Sequence, residues 1–172
     1  MSNTYKKTKS NAFERLDKLF INPEKTGAKC SFGDFQTKIT FQDANAILYG
    51  IPLEITTSFG RGTIYGPKAI RITSAKQIES FMLDENKEIY EKIKIYDMGD
   101  LKIVNSEAAT KYKRSSKNTF NRIESEMNEI NSLIRNEKKI PIILGGEHTI
   151  SYFSIKSIYR ENPVIIHFDA HR

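Results

Sequence analysis

KIPIILGG (139–146), HTISYFSIKSIYR (148–160) and PVIIHFD (163–169) follow one another with almost nothing between them. The first and third are short, unbroken apolar runs rich in Ile, of a length suited to strands buried on both faces. The middle stretch reads as a helix. Strand, helix, strand with short links is a βαβ crossover, and a crossover of that kind places its two strands parallel. The fold class that follows is α/β, a parallel sheet with flanking helices.

The same unit extends towards the amino terminus. AILYGIP (46–52) is a buried strand leading into a loop, TTSFGRGTIYG (56–66), rich in Gly and Thr. PKAIRITSAKQIESFML (67–83) starts with Pro in a first helical turn and sets Ile70, Ser74, Ile78 and Phe81 near helical spacing. IKIYDMGD (93–100) reads as a strand ending in a carboxylate-rich turn. Residues 115–137 place Phe120, Ile123, Met127, Ile130 and Ile134 on one helical stripe. Strands are therefore expected near 45–51, 93–97, 140–145 and 163–168, all parallel. Residues 1–42 are polar and turn-rich, with a short helical pattern at Phe13, Leu16 and Phe20. They are expected to form an arm packed on a domain spanning 43–172.

Composition excludes several classes. Apolar residues make up 38% and charged residues 28% of the chain, a globular balance. No stretch reaches the roughly 18 unbroken apolar residues of a membrane helix, and the first twenty residues lack the apolar segment of a secretory leader. Cys30 has no cysteine to pair with, which fits a reducing cytoplasm, and no histidine lies near it in sequence to make it a nucleophile. The net charge of +6 and pI near 9.3 invite a nucleic-acid reading. Basic residues are instead interleaved with acidic ones, as in RIESEMNEINSLIRNEKK, and form a solvated surface. Neither nucleic acid nor membrane is an expected partner.

Chemistry concentrates at the end of the chain. All three histidines, His148, His167 and His171, fall in the last 25 residues, beside two strand ends. In parallel α/β sheets sites form outside the carboxyl ends of strands. GGEH sets His148 just past one such end, with paired glycines to let the backbone pass tightly. DAH sets Asp169 and His171 at the other, two residues apart and so on one face of an extended chain. One carboxylate and two imidazoles make a ligand set for a divalent ion of the Mn, Zn or Fe group. The metal ligands expected are His148, Asp169 and His171. His167, deeper in its strand, is expected to be buried as a packing or supporting residue, and Glu147 to support the site by hydrogen bonding.

GGEHTIS followed by HFDAHR resembles the ureohydrolase family, the arginase and agmatinase group. ILYGIPLEITTSFGRGTIYGPKAIR is similar to the agmatinase-type entry loop, and YDMGDL to the family's Asp-x-Gly-Asp segment. The motifs stand in family order from about residue 40 onward. SFGRG (58–62) departs from the Tyr-Arg-Pro-Gly usual in agmatinases. The resemblance implies a three-layer α/β/α fold around an eight-stranded parallel sheet. It also implies two Mn²⁺ ions sharing a hydroxide that attacks a guanidinium carbon and releases urea. Carried over, His148 and His171 would be terminal ligands on separate metals and Asp169 a bridging carboxylate. The family's further ligands, its proton-shuttling histidine and its substrate-gripping acid match no position here, so no catalytic set is complete. Two of the family's strands that separate the GGEH and DAH strands are also without a counterpart.

These implications set the remaining expectations. The chain is expected to be a C-terminally truncated, agmatinase-like ureohydrolase, cytoplasmic and inactive by itself. The complete enzyme would convert agmatine to putrescine and urea, as in polyamine biosynthesis, and could form a homo-oligomer. Arginase, guanidinobutyrase and formimidoylglutamase are alternative activities, and a non-catalytic binding partner is the rival from another class. The segment 163–168 is expected to pair with a non-family neighbour or to lie at the edge as an unpaired apolar strand.

Overall fold

The computed structural model describes residues 13–34, 39–102, 116–159 and 162–170. Its centre is strand β2 (Ala46–Ile51), all six residues of which are buried. On one side lies β5 (Ile95–Leu101), on the other β6 (Ile140–Gly145), both parallel to β2. A two-residue strand, β1 (Phe20–Ile21), closes the far edge antiparallel to β5, giving the order β1-β5-β2-β6. The three parallel strands fall where the sequence places them. The antiparallel β1 is an addition, too short for any periodicity to announce. Among the described residues no helix is long and apolar enough to cross a membrane.

Helices cover both faces. Helix α4 (Ser116–Asn136) lays its apolar stripe over the Ile47, Tyr49 and Ile51 face, with Ile123, Met127, Ile130 and Ile134 fully buried as the spacing requires. The Tyr49 hydroxyl donates to Asn131 Oδ1 at 3.0 Å, and Asn131 Nδ2 donates to Ser157 of α5 (Thr149–Ile158) at 2.6 Å. That buried polar chain ties sheet, α4 and α5 into one register. From the arm, α1 (13–17 among the described residues) brings Leu16 and β1 brings Phe20 into the same core.

The opposite face of the sheet belongs to α2 (Gly66–Gln77), which differs from its expected form in two ways. It stops at Gln77, because the chain turns out through Ile78 into a small hairpin. That hairpin pairs β3 (Phe81–Met82) with β4 (Lys87–Glu88), which leads into the single turn α3 (Ile89–Lys92), and its turn holds Asn86 at φ 51°. Its buried face is Pro67, Arg71 and Ser74, while Ile70, Ile78 and Phe81 are exposed. The i, i+4, i+7 spacing is helical, but the buried stripe is polar.

Arg71 is buried because β5 supplies its counter-charges. Asp97 grips the guanidinium with both oxygens, at 2.8 Å from Nε and 2.9 Å from Nη2, and Asp100 Oδ1 accepts from Nη1 at 2.5 Å. Residues three apart on a regular strand point to opposite faces. Here Leu48 opposes Asp97 and Gly50 opposes Asp100, so β5 carries one residue more than β2 between the pairings. That bulge turns both carboxylates to Arg71. Gly99 makes it possible, at φ 88° and pressed against the carbonyl of Ile21, where no Cβ fits. YDMGD is therefore a bulged strand that continues to Leu101, not a terminal turn. The knot extends to the arm: Phe32 N donates to Asp97 at 3.0 Å and Gly33 N to Ser74 Oγ at 2.9 Å.

The segment 163–168 is not the fourth parallel strand expected of it, and of the two placements expected it takes the unpaired one. It enters no ladder with the described strands, and Val164, Ile166 and Phe168 are 88, 76 and 94% exposed. An apolar run becomes a strand only where a neighbour offers backbone partners. The segment instead lies along α5 and the open edge of β6. It leaves there a groove of about 520 Å³ lined by Ile143, Ile150, Ile155, Ile158 and Ile165.

Candidate metal centre

Because β2, β5 and β6 are parallel, their carboxyl ends share one edge of the sheet, and the sequence motifs meet there. Past β6, Gly146 passes so close to Leu53 that a Cβ would meet that residue's backbone. The paired glycines thus serve close approach, with no left-handed turn. Gly146 N donates to Ile51 O at 3.2 Å and Glu147 N to Leu53 O at 2.8 Å, which extends the β2–β6 pairing beyond both strands. His148 then stands immediately before α5, its side chain 61% exposed at the sheet edge.

Asp169 comes to the same point. Its Oδ2 lies 3.4 Å from His148 Nδ1 and 3.3 Å from His167 Nε2. The two imidazole rings are 5.3 Å apart, centre to centre. One ligand atom from each of His148, His167 and Asp169 fits within a 4.8 Å span. The Asp169 side chain is 15% exposed and the His167 side chain 58%. Of the three ligands read from the sequence, His148 and Asp169 are brought together, and His171 lies outside the described residues. His167 is corrected: it is exposed and shares Asp169 with His148. With 163–168 outside the sheet there is no strand interior to bury it, and its parity with Asp169 carries it to the same side.

Two buried carboxylates shape the loop above this edge. Glu147 Oε2 accepts from the backbone of Ile55 at 2.5 Å and Thr56 at 2.6 Å, and Oε1 accepts from Thr56 Oγ1 at 2.7 Å. This is the supporting role its position suggests. Glu54 was legible only as one more acid in a loop. Its Oε2 accepts from Gly62 N at 2.5 Å, Thr63 Oγ1 at 3.1 Å and Ile64 N at 3.2 Å, closing the loop just before α2. Between the two clamps the loop projects Phe59, 98% exposed. Gly66 opens α2 against the carbonyl of Gly145, so the loop's far end is also seated on β6.

The donated bonds, that from Gly62 first, hold the Glu54 carboxyl below its usual range. A depressed folded-state pKa contributes stability that is present above the unfolded value and is lost as pH falls through the folded one. The loop is therefore expected to loosen in acid before the sheet does. Amide exchange at Gly62 and Ile64 should lose protection as pH falls below about 4.5, the ordinary carboxyl value, while Leu48 keeps its own. Equal protection ratios across that range would show that Glu54 does not hold the loop.

The comparisons with known proteins agree on one family. Residues 44–172 match the model of the Arginase family. The agmatinase of Pyrococcus horikoshii is 34% identical over 134 residues, 77% of this chain and 42% of that protein. The N(1)-aminopropylagmatine ureohydrolase of Thermococcus kodakarensis is 32% identical over 130 residues, 76% of this chain and 40% of that protein. The chain thus spans about two fifths of the length of these relatives. A crystal structure of a hypothetical agmatinase from Burkholderia thailandensis shares the fold, with a TM-score of 0.55 at 20% identity over 74% of this chain and 36% of that one. Three parallel strands with helices on both faces, His148 and Asp169 meeting at their carboxyl edge, and a family match that spans residues 44–172 lead to one conclusion: the chain belongs to the arginase family.

Proposed function

We propose that this chain carries the first part of a ureohydrolase metal centre of the agmatinase type. In the complete site the reaction is hydrolysis of the guanidinium group of agmatine to putrescine and urea, in the cytoplasm. The observation that carries this reading is the convergence of His148, just past β6, and Asp169, which follows α5 and the segment 163–168, at the carboxyl edge of the sheet. The donor set fits a first-row divalent ion: imidazole nitrogens and a carboxylate oxygen close enough to share one cation. Mn²⁺ is the ion that the family resemblance supplies. His148, Asp169 and His171 would hold it, with His167, which contacts the same Asp169 oxygen as His148, orienting that carboxylate. When bound, such ions supply a water acidic enough to act as nucleophile near neutral pH, which a resonance-stabilised guanidinium requires. The clamped loop 54–64 stands over the site as the wall against which a substrate would lie.

Manganese titration of the 172-residue chain, followed by loss of the free-ion electron paramagnetic resonance signal, tests this reading. Close to one ion per chain is expected, bound weakly, and His148→Ala or Asp169→Asn should abolish it. Wild-type protein that leaves the free Mn²⁺ signal unchanged would overturn the metal reading. The rival reading, a non-catalytic binding protein, draws on the exposure of Val164, Ile166 and Phe168. A stable hetero-oligomer formed without any bound metal would favour it.

A further inference from the structure

We propose that Glu147 is a positioning residue that couples the 54–57 loop to the metal ligand His148, an inference resting on the metal-centre reading above. Glu147 is 4% exposed, and among the described residues it forms no ion pair. Among the described residues, the donors to its carboxylate come from Ile55 and Thr56. Buried carboxylates are costly unless such bonds are complete, so the loop and Glu147 hold each other in place.

His148 is pinned from both sides in sequence. On its amino side, Glu147 is bonded to the loop through its carboxylate and, through its own N–H, to Leu53 O. On its carboxyl side, Thr149 Oγ1 lies 2.7 Å from Thr56 Oγ1. The Thr56 hydroxyl gives its proton to Glu147, so Thr149 is the donor to Thr56. The run Thr149 to Thr56 to Glu147 spans His148 like a bracket, and the bracket's centre is a loop side chain. Thr56 is itself exposed and is not among the metal-binding residues. A change confined to Thr56 must reach the ion through Glu147 and Thr149 if it reaches it at all.

The test is Mn²⁺ affinity of the full 172-residue chain, measured by the same titration, for wild type, Glu147→Gln, Thr56→Val, Thr56→Ser and the Glu147→Gln/Thr56→Val double variant. Circular dichroism and urea midpoints verify that each is folded. Glu147→Gln should weaken binding about 10- to 100-fold, the range typical of residues that orient a ligand. Thr56→Val should weaken it by a smaller factor, and Thr56→Ser, which keeps the hydroxyl, should restore it. The double variant should be no weaker than Glu147→Gln alone, since both changes break one bracket. Should Glu147→Gln fail to fold, the Val and Ser variants at exposed Thr56 decide. Folded Glu147→Gln or Thr56→Val protein with wild-type affinity, a Ser variant no better than Val, or fully additive losses would overturn the coupling while leaving the metal centre standing. Wild-type protein that binds no Mn²⁺ would remove the metal centre and the coupling with it.

Discussion

Arg71→Met is expected to destabilise the fold by about 3–5 kcal/mol, the cost of leaving a buried charge without its partner. That is a large share of the roughly 5–15 kcal/mol by which a domain of this kind is stable at all. The reason is geometric. Asp97 and Asp100 are turned to the same face by the bulge at Gly99, and among the described residues Arg71 is the cation paired with both. Burial opposes the Arg71 charge, and the two carboxylates, Asp97 foremost, outweigh it and raise its pKa above the ordinary value. Burial likewise pushes the Asp100 carboxyl up, with Arg71 pulling it back. Urea unfolding should show a midpoint shifted far to lower denaturant at an unchanged slope. The triple variant Arg71→Met/Asp97→Asn/Asp100→Asn should lose much less, because no charge is then left stranded. If the single variant unfolds at the wild-type midpoint, the knot carries no net stability.

No urea release from agmatine is expected from the 172-residue chain, even with excess Mn²⁺. The argument counts charges. Asp169 is the only carboxylate among the ligands carried over from the family resemblance, where four aspartates balance two ions. His148 and the other imidazoles are neutral ligands, so a second ion would remain largely hydrated. Hydrolysis of guanidinium needs an acidified water and a positioned substrate together, and these residues provide at most part of the first. Turnover on the order of 1 per second or faster would mean that another chain or other residues complete the centre.

The parts of this structure that sequence made legible are those where one physical signal dominates. β2 is buried on both faces and is apolar throughout; α4 buries one stripe and repeats at helical spacing. His148 could be placed at the site because strand ends of a parallel sheet share an edge, and Asp169 reaches the same point although 163–168 joins no ladder with the described strands. What escaped was set by partners distant in sequence. Arg71 looks like a surface residue of an amphipathic helix until the Asp97–Asp100 bulge is known. Glu54 and Glu147 look alike as loop acids, and only the folded loop says which amides each will meet. His167 seemed to belong inside a strand, and that strand lacks neighbours in the described fold, so its alternation has no inside. The hairpin Phe81–Glu88, whose turn is Leu83 to Asn86, takes up residues that a helical pattern running on to Leu83 would give to α2.

The composition of the core has a consequence for how the chain comes to be folded. Leu16 and Phe20 pack in one cluster with Ile123, Met127, Ile130 and Ile134, more than a hundred residues later in the chain. The intervening strands reach their places only through pairings of similarly long span, β1 with β5 and β2 with β6. Contacts so remote must first meet the entropy of closing long loops, which slows folding. During synthesis the amino-terminal residues emerge well before α4 exists to cover them. For that interval Leu16 and Phe20 are exposed hydrophobic side chains on an unfinished polypeptide, the kind of surface on which chaperones act. The arm is made before the helix that covers it.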